Sequence, residues 1–149
     1  MARTYRLTPA TRLINRLSSG MIKAGIAASY AHILTVRSRT TGRLRSTPVD
    51  VITVGQDRWL VGAYGPSSWT RNARAAGEVT LRRGRRSQRY TVSQPGTADA
   101  VPVLREYITR IRVTRPYFDA TPDSPDDALM AELGTHPVFR LTPRPAGLP

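Results

Sequence analysis

The sequence predicts an α+β fold in which six mostly antiparallel strands close toward a barrel, with helices at its rim. Three observations predict it. Short segments rich in Val, Ile and Thr recur with turn residues between them. Several of these segments are separated by only two or three residues, too few for a parallel crossover. Helical periodicity is confined to the N-terminus, one short central stretch and the region after Thr97. At 149 residues the chain fits one domain with room for a real core.

Thr8-Pro9 opens the first helix, with Thr8 as N-cap and proline at the first helical position. Leu13, Leu17 and Met21 recur at helical spacing beside Ile14 and Ile22, while Arg12, Arg16 and Lys23 supply a basic complement. This amphipathic segment occupies residues 1–28 and its helix ends near 26. Ala31–Arg37, Thr47–Val54 and Arg58–Tyr64 follow as an antiparallel meander. Gly65-Pro66 breaks the third strand, Ser68 caps a helix over Trp69–Ala76, and Gly77 sits where a C-cap glycine belongs. Glu78–Arg83 and Arg86–Gln94 form a hairpin around Gly84-Arg85; the face assignment of the second strand stays open. Thr97 to Val113 reads as a helix, and a short acidic helix starts at Asp123-Ser124-Pro125 and ends near Gly134. Val138–Leu141 reads as the last strand, and residues 143–149 as a frayed tail. No second domain is indicated within 1–149.

The chain carries 23 basic and 10 acidic residues, a net charge of +13. Lys23 is the only lysine, and no acid precedes Asp50. Such a field favours an anionic partner, whether cofactor, nucleic acid or membrane surface. Absent cysteine excludes thiolate metal sites and cysteine nucleophiles. His32 and His136 lack metal-ligand spacing, so no metal site is expected and both read as structural. The N-terminus lacks a long apolar run, which makes a cytoplasmic location the expectation. No Gly-x-Gly-x-x-Gly, phosphate-loop or Ser/His/Asp arrangement occurs, and Asp126-Asp127 reads as a solvated helix start.

Two segments carry chemistry. Arg37–Pro48 packs four arginines and a run of serines and threonines around Thr41-Gly42. Guanidinium forks and hydroxyls satisfy phosphate or carboxylate oxygens, and the Thr40-Thr41-Gly42 turn offers backbone donors to an anion. Arg39, Arg43 and Arg45 supply charge, the last two on one face. The other reading is an exposed basic hairpin. In Ser68–Arg74, Trp69 and Asn72 lie three apart on one helix face. An indole can cover a planar heterocycle, and an amide can read a carbonyl and a ring N–H; the alternative makes Trp69 a core anchor. Tyr64 and Tyr117 are the candidate proton donors.

With both segments in view, the chain resembles the deazaflavin-dependent nitroreductase family. Arg39-Thr40-Thr41-Gly42-Arg43-Leu44-Arg45-Ser46-Thr47-Pro48 is similar to the family's Gly-Arg-Lys/Arg-Thr/Ser-Gly-x-x-Arg-x-x-Pro signature. The run Trp69–Val79 is similar to its Trp-Tyr-x-Asn-Leu-x-Ala-Asn-Pro segment. The resemblance implies a split β-barrel of the flavin-reductase, FMN-binding type. It implies an oxidoreductase that passes hydride from reduced coenzyme F-420 to a small hydrophobic quinone, enone or nitroarene. Arg39, Thr40, Thr41, Gly42 and Arg45 would hold the coenzyme's phosphate and acidic tail. Thr47, Pro48 and Val49 would line the ring, Ala63, Tyr64 and Gly65 would form the opposite rim, and Trp69 and Asn72 would close over it. Tyr117, then Tyr64, would supply the proton. Four features depart from the pattern: the loop Tyr64–Ser68 is short, Thr40 stands where many members carry lysine, Thr70 stands where many have tyrosine after the tryptophan, and a C-terminal tyrosine cluster is reduced to Tyr107 and Tyr117.

Three other readings accompany this one. A non-catalytic relative would hold a fatty acid or lipid, its N-terminal helix lying on the inner face of the membrane. A related split barrel would bind FMN. Nucleic-acid binding is disfavoured, because the aromatics are not interleaved with the arginines as a stacking platform. A monomer and a homodimer both fit the sequence.

Overall fold

The computed structural model describes Ala2 and residues 30–145. The N-terminal helix read at 1–28 lies outside the described residues, as do residues 146–149 of the tail. Six strands, β1 (Ala31–Arg37), β2 (Leu44–Val54), β3 (Asp57–Val61), β4 (Glu78–Arg83), β5 (Arg86–Ser93) and β6 (Val138–Pro143), close into a barrel in the order β1-β2-β3-β6-β5-β4. Every pairing is antiparallel. Helix α1 (Ser68–Ala76) joins β3 to β4. Helix α2 (Thr97–Arg110), a 3-10 turn (Arg112–Tyr117) and helix α3 (Asp126–Glu132) fill the connection from β5 to β6.

The alternation of side chains along the strands divides the core in two. Leu34, Val36, Val51, Leu60, Val79, Leu81, Tyr90, Val92, Phe139 and Leu141 point into the barrel and bury one another. Tyr90 and Val92 settle the face of β5 left open by the sequence. The residues between them, such as Ile52, Trp59 and Val138, point outward and meet Val101, Leu104, Ile108, Ile111 and Leu129 of the helical connection. Leu34 and Leu104 are fully buried; each such side chain contributes about 2–3 kcal/mol through the area it removes from water.

Several boundaries differ from the sequence reading, for local reasons. Strand β2 begins at Leu44 because its pairing with β1 continues to Arg37. Strand β3 stops at Val61, where Gly62 turns the chain: its N–H reaches the Pro137 carbonyl, and a Cβ there would stand 2.9 Å from Pro137 and Thr70. The cap of α1 is Ser67, not Ser68; Ser67 and Thr70 form a reciprocal capping box, and Gly77 ends the helix at φ 72°. The long helix yields to a 3-10 turn before Val113, with Thr114 Oγ1 donating to the Ile111 carbonyl. The acidic helix starts at Asp126, one residue past the N-cap Pro125. The tail is ordered further than expected: Pro143 still pairs with Tyr90, and Arg144 N–H donates to the Arg89 carbonyl.

Candidate active site

A cavity of about 530 Å³ opens beside the β1–β2 turn and the start of α1. Its walls come from Val36, Ser38, Arg39 and Thr40 on one side, Arg45, Ser46, Thr47 and Pro48 along β2, and Tyr64, Gly65, Ser67, Ser68, Trp69 and Asn72 across the opening. Along β2 the lining passes from Arg45 to Pro48, a rise of about 10 Å. The guanidinium groups therefore sit toward the turn, and the proline toward the middle of the strand. Trp69 is half-buried, tilted on Phe139 at 6.1 Å between ring centroids, so it serves both as a core contact and as cavity wall.

Nine of the residues singled out in the sequence share this cavity: Arg39, Thr40, Arg45, Thr47, Pro48, Tyr64, Gly65, Trp69 and Asn72. Thr41, Gly42, Val49 and Ala63 do not line it. Val49 packs against the inner core of the barrel, and Ala63 is buried in the outer core. Thr41 and Gly42 form the turn itself. The turn's backbone donors are engaged internally: Ser38 Oγ accepts from Thr40 N–H and Thr41 N–H at 3.3 and 3.2 Å, and the Ser38 carbonyl accepts from Gly42 N–H at 3.0 Å. The anion-nesting role read for Thr40-Thr41-Gly42 is thus replaced by a side-chain-braced turn. Arg43 lies outside β2 and, unlike Arg45, does not line the cavity. Arg71 is exposed, and Arg74 donates to Gln94 at 2.8 Å; neither is in the cavity walls.

Asn72 is buried, and its Oδ1 accepts from both the backbone N–H of Arg39 at 3.1 Å and its guanidinium at 2.8 Å. The amide oxygen therefore fixes an arginine and is not available to a ligand. Sequence spacing could place Asn72 beside Trp69, but could not reveal this long-range partner. Arg39 and Arg45 form no ion pair among the described residues, and no described side-chain hydrogen bond involves Arg45. Two guanidinium groups left without carboxylates in a concave wall call for an anion.

Tyr64 lines the cavity and is 42% exposed. Tyr117, the first choice from the sequence, stands behind it in an edge-to-face contact of 4.8 Å and is not part of the lining. Behind these rings lies a pair that sequence reasoning missed. Asp50, two residues after Pro48 on β2, interacts electrostatically with Tyr107 of α2. Burial pushes the Asp50 carboxyl up from 3.8 to about 6, against the opposing effect of Tyr107. Burial, then the Asp50 charge and the phenols of Tyr64 and Tyr30, raise Tyr107 well above the ordinary tyrosine value. A lone carboxyl within a run of Val and Ile was the available signal.

The two histidines have structural partners. His32 Nδ1 donates to the Tyr30 carbonyl at 2.9 Å, and burial pulls its pKa down. His136 Nδ1 donates to the Gly62 carbonyl at 3.0 Å, with Nε2 3.3 Å from Glu132. No group of potential metal ligands occurs among the described residues.

Residues 10–121 match the family described as F420H(2)-dependent quinone reductase. The chain belongs to this family. No curated protein is significantly similar to this family member in sequence. Among solved structures it is similar to one described as a domain-swapped dimer, at 14% identity over 91% of this chain and 100% of that one, TM-score 0.57. It is also similar to an F420-H2 dependent reductase (FDR-A), at 15% identity over 76% and 95%, TM-score 0.51. A NimC/NimA family protein from Clostridium acetobutylicum is similar at 12% identity over 85% and 81%, TM-score 0.52. At these identities the structures show the split-barrel fold alone. Family membership makes the protein an F-420-dependent oxidoreductase with the deazaflavin as its cofactor. The donor set fits that group: two guanidiniums with no carboxylate partner among the described residues and several hydroxyls suit its phosphate and glutamate tail, and the indole, Val36 and Pro48 suit its fused rings.

Proposed function

We propose that this F-420-dependent oxidoreductase reduces a small hydrophobic quinone in the cavity between β2 and α1, with enones and nitroarenes as alternative acceptors. The observation that carries the reading is the convergence of Arg39, Arg45, Trp69 and Tyr64 on one hollow. Bound reduced deazaflavin supplies the hydride. Arg39, oriented by Asn72, and Arg45 grip the anionic tail, while Thr40 and Thr47 offer hydroxyls along its length. Pro48 and Trp69 would pack against the deazaflavin's fused rings and help exclude water from the cavity. Tyr64 stands at the open wall, where its hydroxyl can protonate the oxygen of an acceptor as negative charge develops there. Tyr117 braces Tyr64 through its ring edge and does not itself act on the acceptor.

Fluorescence polarisation of oxidised coenzyme F-420 titrated with the full chain tests this reading. Saturable binding at low salt is expected, weakened about tenfold or more by Arg39→Ala and by Arg45→Ala, in line with the loss of charge-assisted hydrogen bonds. Tyr64→Phe should leave binding intact and lower turnover with a naphthoquinone. Absence of binding at protein concentrations well above micromolar, or wild-type affinity in both arginine variants, would contradict it.

A further inference from the structure

Ser38 follows β1, is 7% exposed, and has its polar groups engaged on every side. Its N–H donates to the Arg43 carbonyl at 2.8 Å, and its carbonyl accepts from Gly42 N–H at 3.0 Å. Its Oγ accepts from Thr40 N–H and Thr41 N–H at 3.3 and 3.2 Å, and lies 3.1 Å from Thr40 Oγ1. A hydroxyl has two lone pairs and one hydrogen. The two peptide donors take both lone pairs, so the Ser38 hydrogen is what remains to bind Thr40 Oγ1. Ser38 therefore donates and Thr40 accepts, and the hydrogen of Thr40 must point elsewhere. Among the described residues nothing else bonds that hydroxyl, and Thr40 is exposed in the cavity wall. The adjoining arginine is committed in a similar way. Arg39 Nη1 donates to Asn72 Oδ1, so the Nε–H and Nη2–H edge is the part of the guanidinium left over. All ten side-chain acids lie between Asp50 and Glu132, and none pairs with Arg39.

We propose that Ser38 is a positioning residue that commits the Thr40 hydroxyl to donate, and that this hydroxyl and the Nε–Nη2 edge of Arg39 form a donor-only subsite for an oxyanion of the coenzyme, phosphate or carboxylate. The inference rests on the reading of the cavity as the coenzyme site. Thr40 brings no charge. It acts at the end of a chain in which two peptide N–H groups donate to Ser38, Ser38 donates to Thr40, and Thr40 donates to the anion. Each bond in such a chain polarises the next. The backbone donors of the turn thus act on the anion through a serine, without touching it. A corner that offers donors and no acceptor satisfies anionic oxygens and leaves an ammonium without a partner, so it selects by hydrogen direction as well as by charge. Ser38 touches no ligand; it acts through Thr40.

The test measures binding of coenzyme F-420 to the full chain and to the variants Thr40→Val, Thr40→Ser, Ser38→Ala and Ser38→Ala/Thr40→Val. Thr40→Val, which keeps the shape and loses the hydroxyl, should weaken binding about tenfold, and Thr40→Ser should restore most of it. Ser38→Ala frees the Thr40 hydroxyl to turn and should weaken binding severalfold. In the Thr40→Val background the same change should matter by less than about twofold, because Ser38 acts only through that hydroxyl. A serine that merely held the turn together would weaken binding equally in both backgrounds. Competition with inorganic phosphate and with free glutamate identifies the anion: the competitor that loses potency in Thr40→Val is the one that sits in the corner, and indifference of both to Thr40→Val would overturn the subsite. Independently of the coenzyme, amide hydrogen exchange should show Thr40 and Thr41 protected in the wild type, exposed in Ser38→Ala and still protected in Thr40→Val. If Ser38→Ala fails to fold, the Thr40→Val and Thr40→Ser pair still decides. Wild-type affinity in Thr40→Val, equal losses from Ser38→Ala in both backgrounds, or unprotected amides in the wild type would overturn the inference while leaving the reductase reading intact. A wild type that binds no coenzyme would overturn both.

Discussion

At the scale of single residues, burial makes the Asp50 carboxylate a cost to the fold. Its folded-state pKa lies above its ordinary value of 3.8, at about 6. The native state therefore binds more protons than the unfolded chain across that window, and stability declines as pH rises through it. The neutral carboxyl fits the fold below pH 4, whereas the carboxylate above pH 6 is penalised by burial. Asp50→Asn carries no charge at either pH. It should be more stable than wild type at pH 8, by about 2 kcal/mol once partial exposure is allowed for, with no such gain at pH 4. Urea unfolding at the two pH values measures the difference, and equal effects at both would mean that the carboxylate is not penalised. This residue also marks where the sequence was silent. Arginines, hydroxyls and an indole announce an anion site by type, but an acid acting on a tyrosine 57 positions away is visible only after β2 and α2 pack.

At the scale of elements, α3 controls the wall that carries the tyrosines. Glu132, at its C-terminal end, is buried; its Oε1 accepts from Asp119 N–H and Ala120 N–H at 2.7 and 2.8 Å. His136 links the same carboxylate to Gly62, and Phe118 stacks on its ring at 4.2 Å. This one side chain thus ties the segment after Tyr117 to the turn before Tyr64. Glu132→Ala would strand two backbone donors and the imidazole, at a cost of about 3–5 kcal/mol. Glu132→Gln keeps an acceptor oxygen and should cost less. Chemical denaturation ranks the two, and equal losses would deny the carboxylate oxygen this role. Elements with strong local signals were legible in the sequence: β1 and β4 have the predicted ends, and the meander and the C-cap Gly77 stand where read. What failed depended on partners distant in sequence. Strand β2 is lengthened by β1, β3 is cut short by Pro137, and Pro143 is ordered by Tyr90. The cavity was legible in residue type but not in direction, since the inner core takes up Val49 and the bracing by Ser38 engages the donors of Thr40 and Thr41.

At the scale of the whole molecule, a net charge of +13 can act on an anionic coenzyme in two separable ways. Arg39 and Arg45 line the cavity, and in the proposed reading they set how long the ligand stays. The exposed arginines of the β4–β5 hairpin, including Arg85 and Arg86, sit near the barrel end where β1 begins, whereas Arg39 follows the end where β1 finishes. Seven residues of strand separate those ends, about 20 Å at the usual rise. That exceeds the screening length of about 8 Å at physiological ionic strength. The hairpin charges can therefore steer an incoming anion in dilute salt but cannot hold it. Stopped-flow binding of coenzyme F-420 separates the two roles. In Arg85→Ser/Arg86→Ser the association rate should fall severalfold at low salt, converge on wild type near physiological salt, and leave the dissociation rate unchanged. In Arg45→Ala the dissociation rate should rise at every salt concentration. If the hairpin variant instead released the coenzyme faster, its arginines would contact the ligand directly, and the anion's path would extend beyond the cavity between β2 and α1.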